Sequence, residues 1–210
     1  MFSFMKKSVV LPVLAILLAT LLLAVMPTEA DAAIYTDTIR LHVLANSDSE
    51  EDQSTKFAVR DDLLLTYGSV LGTAKTMEEA ESLVRRMIPE MREHVNEFLS
   101  ARGVSDTADI TFSVEWYETR VYETFTLPAG YYPSLRVLIG AAEGRNWWCV
   151  MFPPLCLDMA TEDAPADDGL GAYSESERRL ISGGYRVRFK LLEAVSGMFR
   201  EKSGTDPKRK

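Results

Sequence analysis

Between Thr38 and Ala45, apolar Ile39, Leu41, Val43 and Ala45 alternate with Arg40, His42 and Leu44, the two-residue period of a strand with one buried side. Asn46-Ser47-Asp48-Ser49 follows at once, a set of side chains that accept hydrogen bonds from the orphan N–H groups of a helix start. Glu50, Glu51 and Asp52 then complement the macrodipole, and Val59, Leu63, Tyr67, Val70 and Leu71 recur at helical spacing until Gly72. A second helix opens on the T-x-x-E capping box of Thr76 and Glu79. Its apolar stripe runs through Ala80, Leu83, Val84, Met87, Ile88, Met91, Val95, Phe98 and Leu99. Pro89 removes a backbone donor and crowds the preceding turn, so a kink or a split is expected there.

After Arg102-Gly103 the period changes. Ile110, Phe112, Val114 and Trp116 alternate, and Val121–Leu127, Leu135–Ile139 and Asn146–Phe152 follow as further strand candidates separated by turn residues at Pro128-Ala129-Gly130, Gly140 and Gly144. The pattern predicts a meander. Asp158 to Ser176 holds Asp158, Glu162, Asp163, Asp167, Asp168 and Glu175 among Ala, Pro and Gly, the composition of a solvated, mobile loop. Val187, Leu191, Leu192, Val195, Met198 and Phe199 then predict a last helix. The fold class is therefore α+β: one domain with an N-terminal strand, two amphipathic helices, an antiparallel β-rich half and a C-terminal helix.

The N-terminus has a different character. Lys6 and Lys7 precede an uncharged, mostly aliphatic run from Ser8 to Thr28, and Ala30-Asp31-Ala32 supplies a small-x-small triplet, so residues 1–32 read as a secretory signal cleaved before Ala33. The run is also near the lower limit of about 17 to 20 residues for spanning hydrocarbon, which keeps an uncleaved anchor open. In either case the domain at 33–202 faces the far side of the membrane, with a short basic tail at 203–210.

Net charge is −8, and the first 32 residues hold two charges of each sign (Lys6, Lys7, Glu29, Asp31), so the rest also carries −8. Such a balance does not suit nucleic acid, whose phosphates demand a basic face. The two cysteines, Cys149 and Cys156, both lie in the exported part, where a single disulfide between them is the expectation. So short a ring would stabilise by about 2 to 3 kcal/mol and would shape a loop more than hold a fold.

Two stretches hold the candidate chemistry. Ile39 to Arg60 gathers Arg40, His42, Asn46, Asp48, Asp52, Lys56 and Arg60 around a strand-to-helix junction; the plain alternative is a capped helix whose Asp52, Lys56 and Arg60 make ordinary i,i+4 pairs. Asn146 to Cys156, NWWCVMFPPLC, places Trp147, Trp148, Phe152, Pro153 and Pro154 in and beside the cysteine loop. As strand neighbours, Trp147 and Trp148 must face opposite ways, which leaves one of them for recognition. An enzymatic reading would pair His42 with Cys149 or Cys156 as base and nucleophile, but it requires a free thiol. The chain has no G-x-S-x-G, no H-E-x-x-H and no glycine-rich phosphate loop. With His42 and His94 its only histidines, no metal and no cofactor are expected.

Ile39 to Gln53 (IRLHVLANSDSEEDQ) and Asn146 to Cys156 resemble the hallmark segments of the stage II sporulation protein R family. The order of elements, with LRVLIG at Leu135–Gly140, is similar over about Ile39 to Lys202. The resemblance implies a non-enzymatic messenger made in a forespore and exported into the space between forespore and mother cell. There it would activate a membrane-embedded aspartic protease that processes a mother-cell sigma factor precursor. The basic tail and the acidic stretch from Asp158 are departures from the family. The residues alone support an exported binding domain, with an exported hydrolase using a His/Cys pair or a cell-envelope binding module as alternatives. The partner surface expected is Arg40, His42, Asn46, Asp48 and Asp52 with Asn146, Trp147, Trp148, Phe152, Pro153 and Pro154.

Overall fold

The structure is a computed structural model that describes residues 2–25, 29–122, 125–153, 155, 171 and 173–182. The expected final helix at 187–199, the basic tail, Pro154, Cys156 and most of the acidic stretch lie outside the described residues. In chain order the elements are α1 (Phe2–Val25), α2 (Glu29–Thr36), β1 (Ile39–Leu44), α3 (Glu50–Leu71), α4 (Met77–Ala101), β2 (Ala108–Tyr117), β3 (Arg120–Val121), β4 (Thr126–Leu127), β5 (Gly130–Ile139), β6 (Asn146–Phe152) and α5 (Glu175–Ser182).

The four long strands form one sheet in the order β2-β5-β1-β6. β1 runs parallel to β5 and antiparallel to β6, while β2 and β5 pair antiparallel over their whole lengths. This corrects the meander: β1 inserts between β5 and β6, and β3 and β4 pair only with each other. The physical reason lies in β1 itself, which is covered on both faces and so belongs at the centre of a sheet rather than at its edge.

One face is covered by α3 and α4. Leu41, Val43, Ile110, Val137 and Cys149 of the sheet meet Val59, Leu63, Val84, Met91 and Val95 of the helices in the main core. Both helix starts are capped as their sequences predict. Ser49, rather than Asn46 or Asp48, is the N-cap of α3 and accepts from the Asp52 N–H at 3.1 Å. Thr76 caps α4, while Glu79 reaches back to the N–H of Lys75 at 2.9 Å instead of to Thr76. Pro89 does not split α4, which is continuous from Met77 to Ala101. The carbonyl that Pro89 leaves without a helical donor belongs to exposed Arg85, where water can replace the lost bond.

The other face carries a second cluster built from Ile34, Phe125, Leu127, Val150, Tyr173, Leu180 and Ile181. Helix α2 contributes to it directly, so the expected cleavage point before Ala33 falls just ahead of docked residues. Ile34 is fully buried, and Tyr35 donates to the Ala129 carbonyl at 3.0 Å with its ring over Gly130, where any Cβ would collide with it. The end of the acidic stretch is packed rather than loose: Tyr173 is buried and its hydroxyl shares a 2.8 Å hydrogen bond with Thr38, just ahead of α5. No helix among the described residues is long and apolar enough to cross a membrane. Helix α1 leaves Val10, Leu11, Leu14 and Leu18 exposed.

Candidate functional site

The strand alternation sorts the expected partner residues into three groups. Register pairs Leu41 with Cys149 and His42 with Trp148, so Cys149 and His42 point to opposite faces of the sheet. Cys149 is fully buried in the helix-covered core and no cysteine among the described residues is free. Its expected bond to Cys156 involves a residue outside the described set. Trp147 shares the helix side and packs under the Arg60 guanidinium at 4.7 Å, whereas Trp148 stands on the opposite face, as neighbouring strand residues must. Phe152 and Pro153 are both buried at the end of β6.

The second group is the junction after β1, whose polar side chains, half-buried at Asn46 and Asp52 and exposed at Asp48, bond the protein itself. Asn46 accepts from the Ala141 N–H at 2.8 Å and donates to Asp52 at 3.1 Å; Ser47 donates to the same carboxylate at 2.5 Å. Asp48 accepts from the Arg145 N–H at 2.6 Å, and buried Lys56 reaches the Arg145 carbonyl at 3.0 Å and Gln53 at 2.7 Å. The hydroxyl of Ser47 is the main reason that the Asp52 carboxyl titrates below its ordinary value, and burial lowers Lys56. These contacts clasp the β1–α3 turn to the β5–β6 turn, nearly a hundred residues away in the chain. The i,i+4 series Asp52, Lys56, Arg60 does not form: Arg60 pairs with Asp61 at 2.6 Å. Replacing Asn46 with Ala should cost about 1 to 3 kcal/mol, because it removes two hydrogen bonds at once, an exposed one from the Ala141 N–H and a half-buried one to Asp52. Urea denaturation measures this, and any activity lost should follow the folded fraction.

The third group is a cationic and aromatic cluster on the sheet face opposite α3 and α4. Arg40 is 0% exposed, lies 4.2 Å from the ring centre of Tyr117 and 5.2 Å from that of Tyr132, and donates to the Tyr122 hydroxyl at 2.8 Å. His42 stacks on Trp148 at 5.5 Å and meets the edge of Tyr117 at 6.1 Å. Arg120 lies 3.7 Å from the Trp148 ring centre, and Arg136 reaches Glu115 at 3.5 Å. The Tyr117 hydroxyl is bonded to Ser134, and burial pushes its own titration up to about 12. Of this cluster the sequence reading names Arg40, His42 and Trp148 but misses Arg120, Arg136 and the three tyrosines. One signal was available, the lone charge of Arg136 inside the apolar run Leu135–Ile139.

The model of the stage II sporulation protein R family matches residues 35–162. This chain belongs to that family. A stage II sporulation protein R from Bacillus subtilis (strain 168) is 29% identical over 223 aligned residues, spanning 93% of this chain and 100% of the relative. No solved structure matches. The match takes in the junction, the Tyr117–Tyr132 segment, β6 and both cysteines, so all three groups of side chains lie within the family's shared region.

His42 gives this family member a pH signature. Burial first, then the Arg136 guanidinium, holds its imidazole at about 4 instead of 6.5. A depressed histidine binds its proton more readily when unfolded, so its stabilising contribution is complete above about pH 6.5 and is lost as pH falls toward 4. The loss should approach about 3 kcal/mol. Urea midpoints at pH 7 and pH 4.5 should differ more in the parent than in His42→Asn; equal differences would show that other groups carry the acid sensitivity.

Proposed function

We propose that this chain is the exported messenger of a sporulating cell, activating a membrane-embedded aspartic protease that processes a mother-cell sigma factor precursor. The observation that carries this reading is the family match across residues 35–162. The mature domain would work in the space between forespore and mother cell, with residues 1–32 serving as its signal peptide or membrane tether. Action by contact rather than catalysis is favoured by the geometry of the one candidate nucleophile and base. Cys149 and His42 are divided by the sheet, and the imidazole sits among guanidinium groups that disfavour its protonation. The expected disulfide between Cys149 and Cys156 belongs to the same exported state, and mass spectrometry of non-reduced peptides tests it.

The partner surface in this reading centres on His42 and Trp148. Asn46, Asp48 and Asp52 then act as the clasp that holds β1 and the β5–β6 turn in place. The test is co-expression of the chain with the protease and the sigma factor precursor in a non-sporulating host. Precursor cleavage that appears only when this chain is exported supports the proposal; cleavage independent of it, or none at all, overturns it.

A further inference from the structure

The cluster on the second sheet face holds more donor capacity than the protein uses. Arg40 Nε and Nη1, Arg136 Nε and His42 Nε2 are all buried and meet no hydrogen-bond partner. Buried polar atoms are rarely left so, and the three guanidinium N–H donors among these four mark a place where an acceptor is absent; Nε2 of the neutral His42 ring is a donor in one tautomer and an acceptor in the other. Among the described residues only Glu115 comes within ion-pair distance of any of the three arginines, and it meets Arg136 alone while also accepting from Ser113 at 2.6 Å. Glu177 is buried and accepts from the Ser174 N–H at 2.8 Å through Oε2, while its Oε1 also lacks a partner; it lies within ion-pair distance of none of the three arginines. Three guanidinium groups on one face are unusual in a chain of net charge −8.

We propose that the sheet face bearing His42 and Arg136 receives a side-chain carboxylate from an acidic peptide segment of the partner, with Arg40 as the fixed charge behind it. The inference rests on the messenger reading for the partner's identity; the carboxylate site itself rests on the unused donors. The guanidinium fork of Arg136 matches a carboxylate, and Arg120, half-exposed over Trp148, flanks the entry. The walls are aromatic, from Trp148 and Tyr117, which suits the methylene stem of a Glu or Asp side chain. An anionic bilayer or a nucleic acid fits less well, because each presents many charges to an acidic surface that offers one basic patch. A bound carboxylate would also favour the protonated form of His42, which the surrounding arginines otherwise oppose.

The full chain in non-ionic detergent, labelled on its histidines, gives a direct reading, since it has only His42 and His94. His94, held by Asp62 at 2.6 Å on the helix side, is the internal control. Acetyl-Gly-Glu-Gly-amide should shift the His42 imidazole signals saturably and raise their titration midpoint, while the Gln peptide and His94 show no change. Arg136→Gln should weaken the peptide at least fivefold with the His94 signals intact. An equal response to the Gln peptide, an equal response to inorganic phosphate, or no response at all would overturn the site. Co-expression separates the two readings. Processing that proceeds equally with the parent and with folded Arg136→Gln overturns the carboxylate contact. Absence of processing with the parent overturns the messenger reading and leaves the site to be decided by the peptide titration.

Discussion

Leu41→Ala is expected to lower the unfolding free energy by about 2 to 5 kcal/mol, the range for truncating a fully enclosed aliphatic side chain. Leu41 is 0% exposed on the central strand, between Leu135 of β5 and Cys149 of β6 and beneath the α3–α4 layer. Its surroundings come from four elements, so little can collapse into the space left behind. Urea denaturation followed by circular dichroism measures the loss, and a cost below about 1 kcal/mol would mean that β1 is not central. The proposed protease activation should fall in parallel with folded protein, which makes this variant the reference for any site mutant that loses activity while remaining folded.

Arg40→Met is expected to act in the opposite sense, raising stability by about 1 to 3 kcal/mol while abolishing the protease activation proposed above. Replacing a buried charged arrangement by an apolar side chain of similar volume is often stabilising, because desolvation outweighs the attraction regained. Arg40 has no carboxylate partner among the described residues; the Tyr122 hydroxyl and the faces of Tyr117 and Tyr132 are what hold it. Methionine keeps the contact with the rings and gives up one hydrogen bond. Thermal and urea unfolding check the gain, and the co-expression assay checks the loss. A variant that is destabilised by more than 2 kcal/mol would show that Arg40 is a structural strut. A stabilised variant that still signals would show that the charge is not needed by the partner.

The parts of the fold that local pattern reveals are those whose forces are local. The start of α3 at Ser49, its end at Gly72, the Thr76 cap of α4 and the opposition of Trp147 and Trp148 all follow from contacts within a few residues. The same local logic predicts a kink or a split at Pro89, and α4 is not split there because the affected turn is exposed. Likewise Asp52, Lys56 and Arg60 stand at pairing distance in sequence, yet Asp52 is taken by Ser47, Arg60 by Asp61, and Lys56 by the Arg145 carbonyl of the β5–β6 turn. Partners about ninety residues away have no signature in a window of ten.

What the chain shows by itself is β1, α3, α4, β2, β5 and β6, the acidic balance and the two family segments, because period, capping and composition are properties of short stretches; α2, α5 and the division of Val121–Leu127 into β3 and β4 came only with the structure. Only the tertiary structure decided that β1 lies between β5 and β6, and from this the rest of the site follows. A strand at the centre of a sheet has both faces largely covered, so of the residues that alternation assigns to a polar side Arg40 is enclosed and His42 half-buried. Once there, they meet Arg136 from β5, Arg120 from β3 and Trp148 from β6, and the cluster exists because strand pairing brings together residues that the chain holds far apart.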